Sequence, residues 1–536
     1  MIKKLLALLL TLTAAATCGA PAQEGFYSVR GQDIVDSQGE KAVFKGICFG
    51  NSVWTNDINE VYRHHSEDSY RELSELGFNS VRFFLNYRWF ESDDAPYTYM
   101  DEGFEMLAQN IAWAEKYGIG LILNMHYPQG GYQSQGNGMA LWTDEENKKR
   151  LTALWGEIAK RCADETAVIG YGLINEPVVP KLSTMEKTVA QCDELMQRIT
   201  DEIRRYDSRH LLFIEGVCAV RDMTTGKTEW EVPCELRALV DDPLAVYESH
   251  FYEPFFFTHQ SAGDNVVYPD PTLRAEDYIS WYVRSEGLES SDAGGGWHYF
   301  ESAALSADEA ANVLTPAPGA WNLGDGAAYY DDLKLTETAA DGSARVVWSE
   351  DFSEEKKPAS TWSADGSGTA EYDAAHGRTA LGCLKISGNS GSFSAAFANV
   401  PMSEGCTYTL SGYVLKEAQD GSAYINADLA LARSFYTVNR DYIFERLDSC
   451  AEFARSHNVP LYLGEFGADN ASAGAPGGER WAADVLDWLD ENGVSFSYHA
   501  YHEPMFGLYP NGGDYEYLTG RRELLADVFR QKLLAE

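Results

Sequence analysis

Hydrophobic and polar positions along this chain follow two alternating rhythms. Near-continuous apolar runs occur at VFKGICFG (43–50), FNSVRFFL (78–85), IGLILNMHY (119–127), AVIGYGLINEP (167–177), HLLFIEG (210–216), LAVYESHFYEP (244–254), VPLYLGEFG (459–467) and VSFSYHAYHEP (494–504). Runs of this length, rich in Val, Ile, Leu and Phe, predict strands buried on both faces. Between them, apolar residues recur every three or four positions at 69–77, 106–118, 147–163, 187–207, 442–458, 479–493 and 521–534, and these predict amphipathic helices. Repeated strand–helix pairs predict a parallel sheet with helices outside it, and eight such strands fit a (β/α)₈ barrel, an α/β fold of the TIM type.

The rhythm breaks between the sixth and seventh strands. From 276 to 431 the chain is rich in Gly, Ser, Thr and Asp, with short alternating runs such as AAYYDDLKL (327–335), ARVVWSEDF (344–352), LGCLKISG (381–388), TYTLSGYVL (407–415) and AYINADLAL (423–431). Alternation with turn residues between runs predicts antiparallel strands packed as an all-β sandwich. The expected organisation is therefore a leader at 1–22, the first part of the barrel at 25–275, an inserted sandwich at 276–431 and the last part of the barrel at 432–536. The leader is read from Lys3 and Lys4, the apolar stretch Leu5–Ala16 and the small residues Ala20-Pro21-Ala22. Cys18 within it raises a lipid anchor at the cell surface as the alternative to release, although Thr17 before it fits that pattern poorly.

Composition narrows the partners. The 536 residues are 45% hydrophobic and 13% aromatic, enough for a large core. A formal charge of −40 repels phosphate, so nucleic acid and anionic membrane surfaces are poor partners, while neutral sugars carry no such penalty. No further stretch is apolar enough to be a transmembrane segment. Nine cysteines occur at irregular spacing, without CxxC or a Cys/His cluster of zinc spacing, so the expectation is single buried thiols, no metal and no cofactor. A monomer is expected.

In such barrels the chemistry sits where the strands end. The second strand ends near Arg82, the third at His126, the fourth at Asn175 and Glu176, the sixth at His250 and Tyr252, the seventh at Glu465, and the eighth carries His499 and Tyr501. Glu176 and Glu465, remote in sequence, would face each other across one mouth. Two carboxyl groups flanking a bond are what glycoside hydrolysis needs, one protonated to donate to the leaving oxygen and one ionised to attack the sugar. Arg82 and Tyr252 suit an ionised Glu465. Aromatic rings near the strand ends (Trp54, Trp89, Tyr127, Tyr132, Trp142 and Phe255) offer stacking faces for sugars, against the plain alternative of ordinary packing. Trp142 is the favoured candidate, because it follows the Gly-rich PQGGYQSQGNGMALW, which reads as an exposed loop.

With these residues in view, the chain resembles glycoside hydrolase family 5, the cellulase-like family whose catalytic glutamates follow strands four and seven. The likeness rests on SVRFF, LNMHY, LINEP, SHFYEP, FTHQ (257–260) and LGEFG, and spans residues 25–272 and 430–536. The resemblance implies that Glu176 is the acid/base and Glu465 the nucleophile. It implies that Asn175 binds the sugar 2-hydroxyl and that His250 sits by the acid/base. Tyr252 and Arg82 would sit by the nucleophile, and His126 would shape the sugar subsite. It also implies a Trp under the reacting sugar at the end of strand eight. Here His499 stands at that place, with Tyr501 as a substitute platform.

The insertion resembles carbohydrate-binding β-sandwich modules, with Trp281, Trp297, Trp321, Trp348 and Trp362 as candidate ligand aromatics and a structural insertion as the alternative. Asp331-Asp332 there is a candidate Ca²⁺ pair. The whole reads as a secreted retaining β-glycosidase acting on a plant-type polysaccharide or oligosaccharide, endo-β-1,4-glucanase first, with mannanase, xyloglucanase or an exo-acting glycosidase as alternatives. A catalytically silent glycan-binding surface protein is the reading from another class.

Overall fold

A computed structural model describes residues 24–534 except 135, 231, 233–235, 261–265, 277–278, 285–288, 307–311, 380–381, 433, 470–476 and 511–519; the side chains of 275–290 also lie outside it. The expected leader, Cys18 and the Trp281 side chain therefore fall outside the described residues.

Eight parallel strands close into a barrel, and each of the eight apolar runs supplies one of them. In chain order they are β1 (Lys45–Phe49), β2 (Ser80–Asn86), β3 (Gly120–Tyr127), β4 (Val168–Gly172), β5 (Leu211–Glu215), β6 (Ala245–Phe251), β7 (Leu461–Phe466) and β8 (Ser495–Tyr498). Every residue of β2, β4, β5 and β8 is buried, which is why these runs lack the polar alternation of a one-sided sheet. At the N-terminal ends of the strands, Ile122, Ile169, Leu211, Phe213, Val246 and Tyr462 form one cluster with Phe44 and with Ile34 from a preceding hairpin. That hairpin, Ser28–Arg30 against Asp33–Val35, supplies an apolar side chain to the barrel's floor and leaves the opposite end for polar chemistry.

The outer helices include Glu67–Glu75, Asp101–Tyr117, Glu145–Cys162, Met185–Arg204, Arg440–His457, Gly478–Asn492 and Glu523–Leu533. Their starts follow local rules: the Asp144 carboxylate accepts the Glu146 amide at 2.9 Å, and the Thr184 hydroxyl accepts that of Lys187 at 3.4 Å. No helix among the described residues is long and apolar enough to cross a membrane. Cys48, Cys162, Cys192 and Cys383 are buried thiols.

The chain divides into two compact units, Met1–Pro269 with Arg440–Glu536, and Asp270–Asn439. The second unit starts earlier and ends later than the composition break, because Asp270–Glu276 pairs antiparallel with Ser434–Val438 as a ribbon. Within it, two antiparallel sheets enclose a core that includes Leu314, Tyr330, Leu333, Leu384, Phe393, Tyr408 and Ile425. Trp297 is buried, whereas Trp321 and Trp362 are 51% and 52% exposed. Asp331 and Asp332 are engaged within the fold: Asp331 accepts the Arg378 amide at 2.6 Å, and Asp332 receives the Arg378 guanidinium at 3.0 Å and the Thr379 hydroxyl at 2.9 Å.

Candidate active site

The fourth strand ends in a turn that the rest of the barrel fixes. The Leu173 carbonyl accepts the Trp155 indole at 2.9 Å, the Asn175 amide donates to Met125 of β3 at 3.1 Å, and the Glu176 amide donates to the Glu215 carboxylate at 2.8 Å. Glu176 sits at φ 41°, a left-handed backbone that a non-glycine residue adopts at a cost and that recurs at functional sites. The turn lifts its side chain into the mouth, where it is 19% exposed.

Arg82 on β2 organises the opposite wall. It is fully buried, and its three nitrogens reach three groups: Nε lies 2.8 Å from Glu248, Nη1 2.7 Å from Glu465, and Nη2 donates to Asn175 Oδ1 at 2.8 Å. The planar guanidinium fork suits this arrangement, since two buried carboxylates at different angles need donors fixed in one plane. Glu465 arrives there through an irregularity in register: between β6 and β7, Ser249 faces Leu463 and His250 faces Glu465, so Gly464 is passed over. A Cβ on Gly464 would lie 1.8 Å from the Glu248 carboxylate, so only glycine leaves room for that second acid. The other Glu465 oxygen accepts the Tyr252 hydroxyl at 2.8 Å.

His250 joins the two walls. Its Nδ1 is 2.8 Å from Glu176 and 3.7 Å from Glu465, while its Nε2 is 3.4 Å from Glu248 and 3.6 Å from Glu215. An oxygen of Glu176 and one of Glu465 lie within 4.8 Å of each other, and both carboxylates face the same imidazole nitrogen. His499 Nδ1 stands 3.8 Å from Glu465. His126 lies flat on Phe84, centroids 3.8 Å apart, and beneath Tyr132 at 5.6 Å.

The charges divide the groups. Burial alone would raise the Glu465 carboxyl, but His250, His499 and Arg82 outweigh it and hold it well below the usual range, hence ionised. Burial alone would lower His250, yet Glu215, Glu465, Glu176 and Glu248 hold it well above the ordinary imidazole value, so it is a cation. Burial keeps His126 neutral. Burial also pushes Glu215 up to about 8, with Glu248 and Glu176 adding to the shift. Three sets of side chains converge as a metal's ligands would: Cys48, Glu465 and His499; Glu176, His250 and Glu465; and Glu215, Glu248 and His250. In each, the carboxylates already face Arg82 or a protonated His250, and an imidazolium offers no lone pair.

Arg82, His126, Asn175, Glu176, His250, Tyr252, Glu465 and His499 thus meet at one mouth. Two expected residues do not serve as ring platforms there. Trp142 is only 4% exposed: its indole donates to Gln133 at 2.7 Å, and Gln133 in turn spans the Gly131 and Gly138 carbonyls, so the loop folds back over the ring. Tyr501 is buried outside the mouth, with its hydroxyl on Glu72 of the helix Glu67–Glu75 at 3.0 Å. The rim instead exposes Trp54 and Phe255, at 51% and 63%. Glu215 and Glu248 are further site residues that the strand ends named above do not include; Glu215 stands at the end of HLLFIEG, the fifth apolar run.

Comparison with known proteins agrees with this geometry. Residues 35–289 match the family model for cellulase, glycosyl hydrolase family 5. Endoglucanase C of Acetivibrio thermocellus is 33% identical over 224 residues, 40% of this chain and 60% of that protein. A beta-xylosidase of Phanerodontia chrysosporium is 27% identical over 246 residues (38% and 50%), and cellodextrinase A of Ruminococcus flavefaciens 24% over 241 (44% and 67%). The chain thus spans about 60% of the length of the first of these relatives. On this match, and on a closed barrel with glutamates after its fourth strand and on its seventh, residues 35–289 are similar to glycoside hydrolase family 5.

Proposed function

We propose that this protein is an exported retaining β-glycoside hydrolase that cleaves β-1,4-linked glucan chains internally by double displacement. The observation that carries the reading is the approach of Glu176 and Glu465 to within 4.8 Å of each other, both facing His250 Nδ1. Inverting enzymes need room for a water between their carboxyl groups, about 6.5–9.5 Å, whereas retaining enzymes hold them about 5–5.5 Å apart. Glu465, ionised and aimed by Arg82 and Tyr252, attacks the anomeric carbon while Glu176 gives its proton to the departing oxygen. The glycosyl ester on Glu465 then yields to a water that Glu176 deprotonates. Asn175, held by Arg82, lies where a sugar 2-hydroxyl needs a donor, and His126 and His499 border the sugar. The endoglucanase names among the relatives support internal cleavage of a glucan; the His499 floor keeps mannanase, xyloglucanase and exo-acting glycosidase as the alternatives within the class.

Proton NMR of the first-formed product tests this directly. The β-anomer should appear first from a β-linked cello-oligosaccharide and mutarotate afterwards; an initial α-anomer would refute double displacement.

The sandwich, in the same proposal, docks glycan on the outward face of one sheet. Trp321 pairs with Ser392, and Trp362 with Ser394, which also faces Gly319. Facing residues share a side of the sheet, so both exposed indoles stand on one side with small residues between them. The Tyr424 ring lies against Gly319, where a Cβ would meet it at 2.6 Å. Replacing Trp321 and Trp362 by Ala should weaken retardation in a polysaccharide gel by about tenfold per indole, with hydrolysis of a soluble aryl β-cellobioside held at the wild-type rate. Unaltered retardation would leave the sandwich as a structural insertion.

A further inference from the structure

Four carboxyl groups and two cations share the buried floor of the mouth. Glu176, Glu215, Glu248 and Glu465 surround Arg82 and His250. Water reaches little of this floor: Arg82 is fully buried and Glu248, Glu465 and Glu215 are 2%, 4% and 6% exposed. Uncompensated charge is costly in such a place. Glu248 and Glu465 as carboxylates balance Arg82 and His250 as cations. An acid about to donate makes Glu176 neutral, so neutrality leaves no place for a charge on Glu215. After the first chemical step Glu465 is a neutral ester and Glu176 has become the carboxylate. The sum is again zero, and again only if Glu215 carries its proton.

The hydrogen bonds agree. Glu215 Oε2 accepts the Glu176 amide at 2.8 Å, a role that needs no charge, and Oε1 faces His250 Nε2 at 3.6 Å. We infer that Glu215 is a positioning residue that works as a neutral carboxyl, holding the acid/base turn at its left-handed backbone through both halves of the reaction. This rests on the glycosidase reading of the site. The groups that face Glu215 from the packed elements are Glu176, His250, Glu248 and Arg82 in the mouth, with Cys218, Cys192 and Arg237 behind it. Of these, Arg82, Arg237 and His250 favour ionisation, while Glu176 and Glu248 oppose it. Once Glu215 ionises, the floor holds a surplus negative charge beside Glu176 and His250, so activity should fall as pH rises through about 8.

The test compares wild type, Glu215→Gln and Glu215→Leu in the full chain. Leucine strands the Glu176 amide and should lower kcat by about 10- to 100-fold with little change in KM. Glutamine keeps an uncharged acceptor and should recover most of that loss, with the alkaline limb near pH 8 abolished. Urea unfolding gives a readout independent of catalysis. The folded state keeps the Glu215 proton up to about pH 8 while the unfolded chain releases it near 4.5, so wild-type stability should fall between those values more steeply than that of Glu215→Gln. The inference is overturned if glutamine is as damaging as leucine, or if the two unfolding profiles run parallel across that window. A wild-type protein that cleaves no β-glycoside would overturn the glycosidase reading instead, and the unfolding comparison would still decide the charge on Glu215.

Discussion

Glu465→Ala should lower kcat/KM on an aryl β-cellobioside by about 10⁴-fold or more, with the barrel still folded. The expectation rests on how much of the site exists to keep this one carboxylate ionised and aimed. Arg82 Nη1 reaches one oxygen at 2.7 Å and the Tyr252 hydroxyl the other at 2.8 Å, and the His250 imidazolium stands 3.7 Å away. Among the described residues, the other carboxylates on this wall are engaged elsewhere: Glu248 lies 2.8 Å from Arg82 Nε, and Glu215 faces His250 Nε2 at 3.6 Å. Glu176→Ala should behave differently, sparing substrates whose leaving group departs without a proton and punishing those that need one. If Glu465→Ala retained activity within tenfold of wild type, Glu465 would not be the nucleophile, and the double-displacement reading would fall with it.

The second large effect is on stability. Arg82→Met should cost about 3–5 kcal/mol in urea unfolding at pH 7, because it leaves two carboxylates buried without their cation. The sign with pH is distinctive. In the wild type, the Glu465 carboxyl is held below its ordinary value of 4.5, so its favourable contribution is present above that pH and fades as pH falls toward the depressed value. In Arg82→Met the stranded carboxylates take up protons instead, so the deficit against wild type should shrink on acidification. A deficit below about 1 kcal/mol at neutral pH would mean that Arg82 is no stronger than a surface ion pair and does not organise the site.

The barrel was readable from the chain because every strand of a parallel barrel is covered on both sides, which writes itself as an uninterrupted apolar run. VIGYG and LLFIE are examples in which no position faces water. Where such a run stops at a charged residue, the sequence marks the mouth. Asn175, Glu176, His250, Tyr252 and Glu465 are legible in this way, whereas Arg82 lies inside β2, third of seven residues, and not at the end the sequence reading gives it. The misread residues lie where the strand rule ends. Tyr501 shares the parity of His499, but β8 stops at Tyr498, and past that point alternation no longer says where a side chain points. Trp142 is buried although PQGGYQSQGNGMALW has the composition of a solvated loop. A Cβ on Gly130 would lie 2.2 Å from the Leu141 amide nitrogen, so that glycine serves close packing of backbone on backbone. Glu248 escaped notice for a different reason. It lies inside β6 two residues before His250, and what makes room for it is the absent side chain of Gly464 on another strand.

The ribbon formed by Asp270–Glu276 and Ser434–Val438 bears on how the molecule comes to be made. Asp270 faces Val438, so the points where the chain leaves and rejoins the barrel unit lie about 5 Å apart. Six strands leave the ribosome first, and the two that seal the cylinder, including the one bearing Glu465, follow only after the whole sandwich has been synthesised. An open tether of that length would leave the nascent half-barrel gaping at an entropic cost that grows with its span. Clasped by the ribbon, the sandwich becomes in effect a hairpin's worth of chain, delivering the seventh strand to its slot beside the sixth.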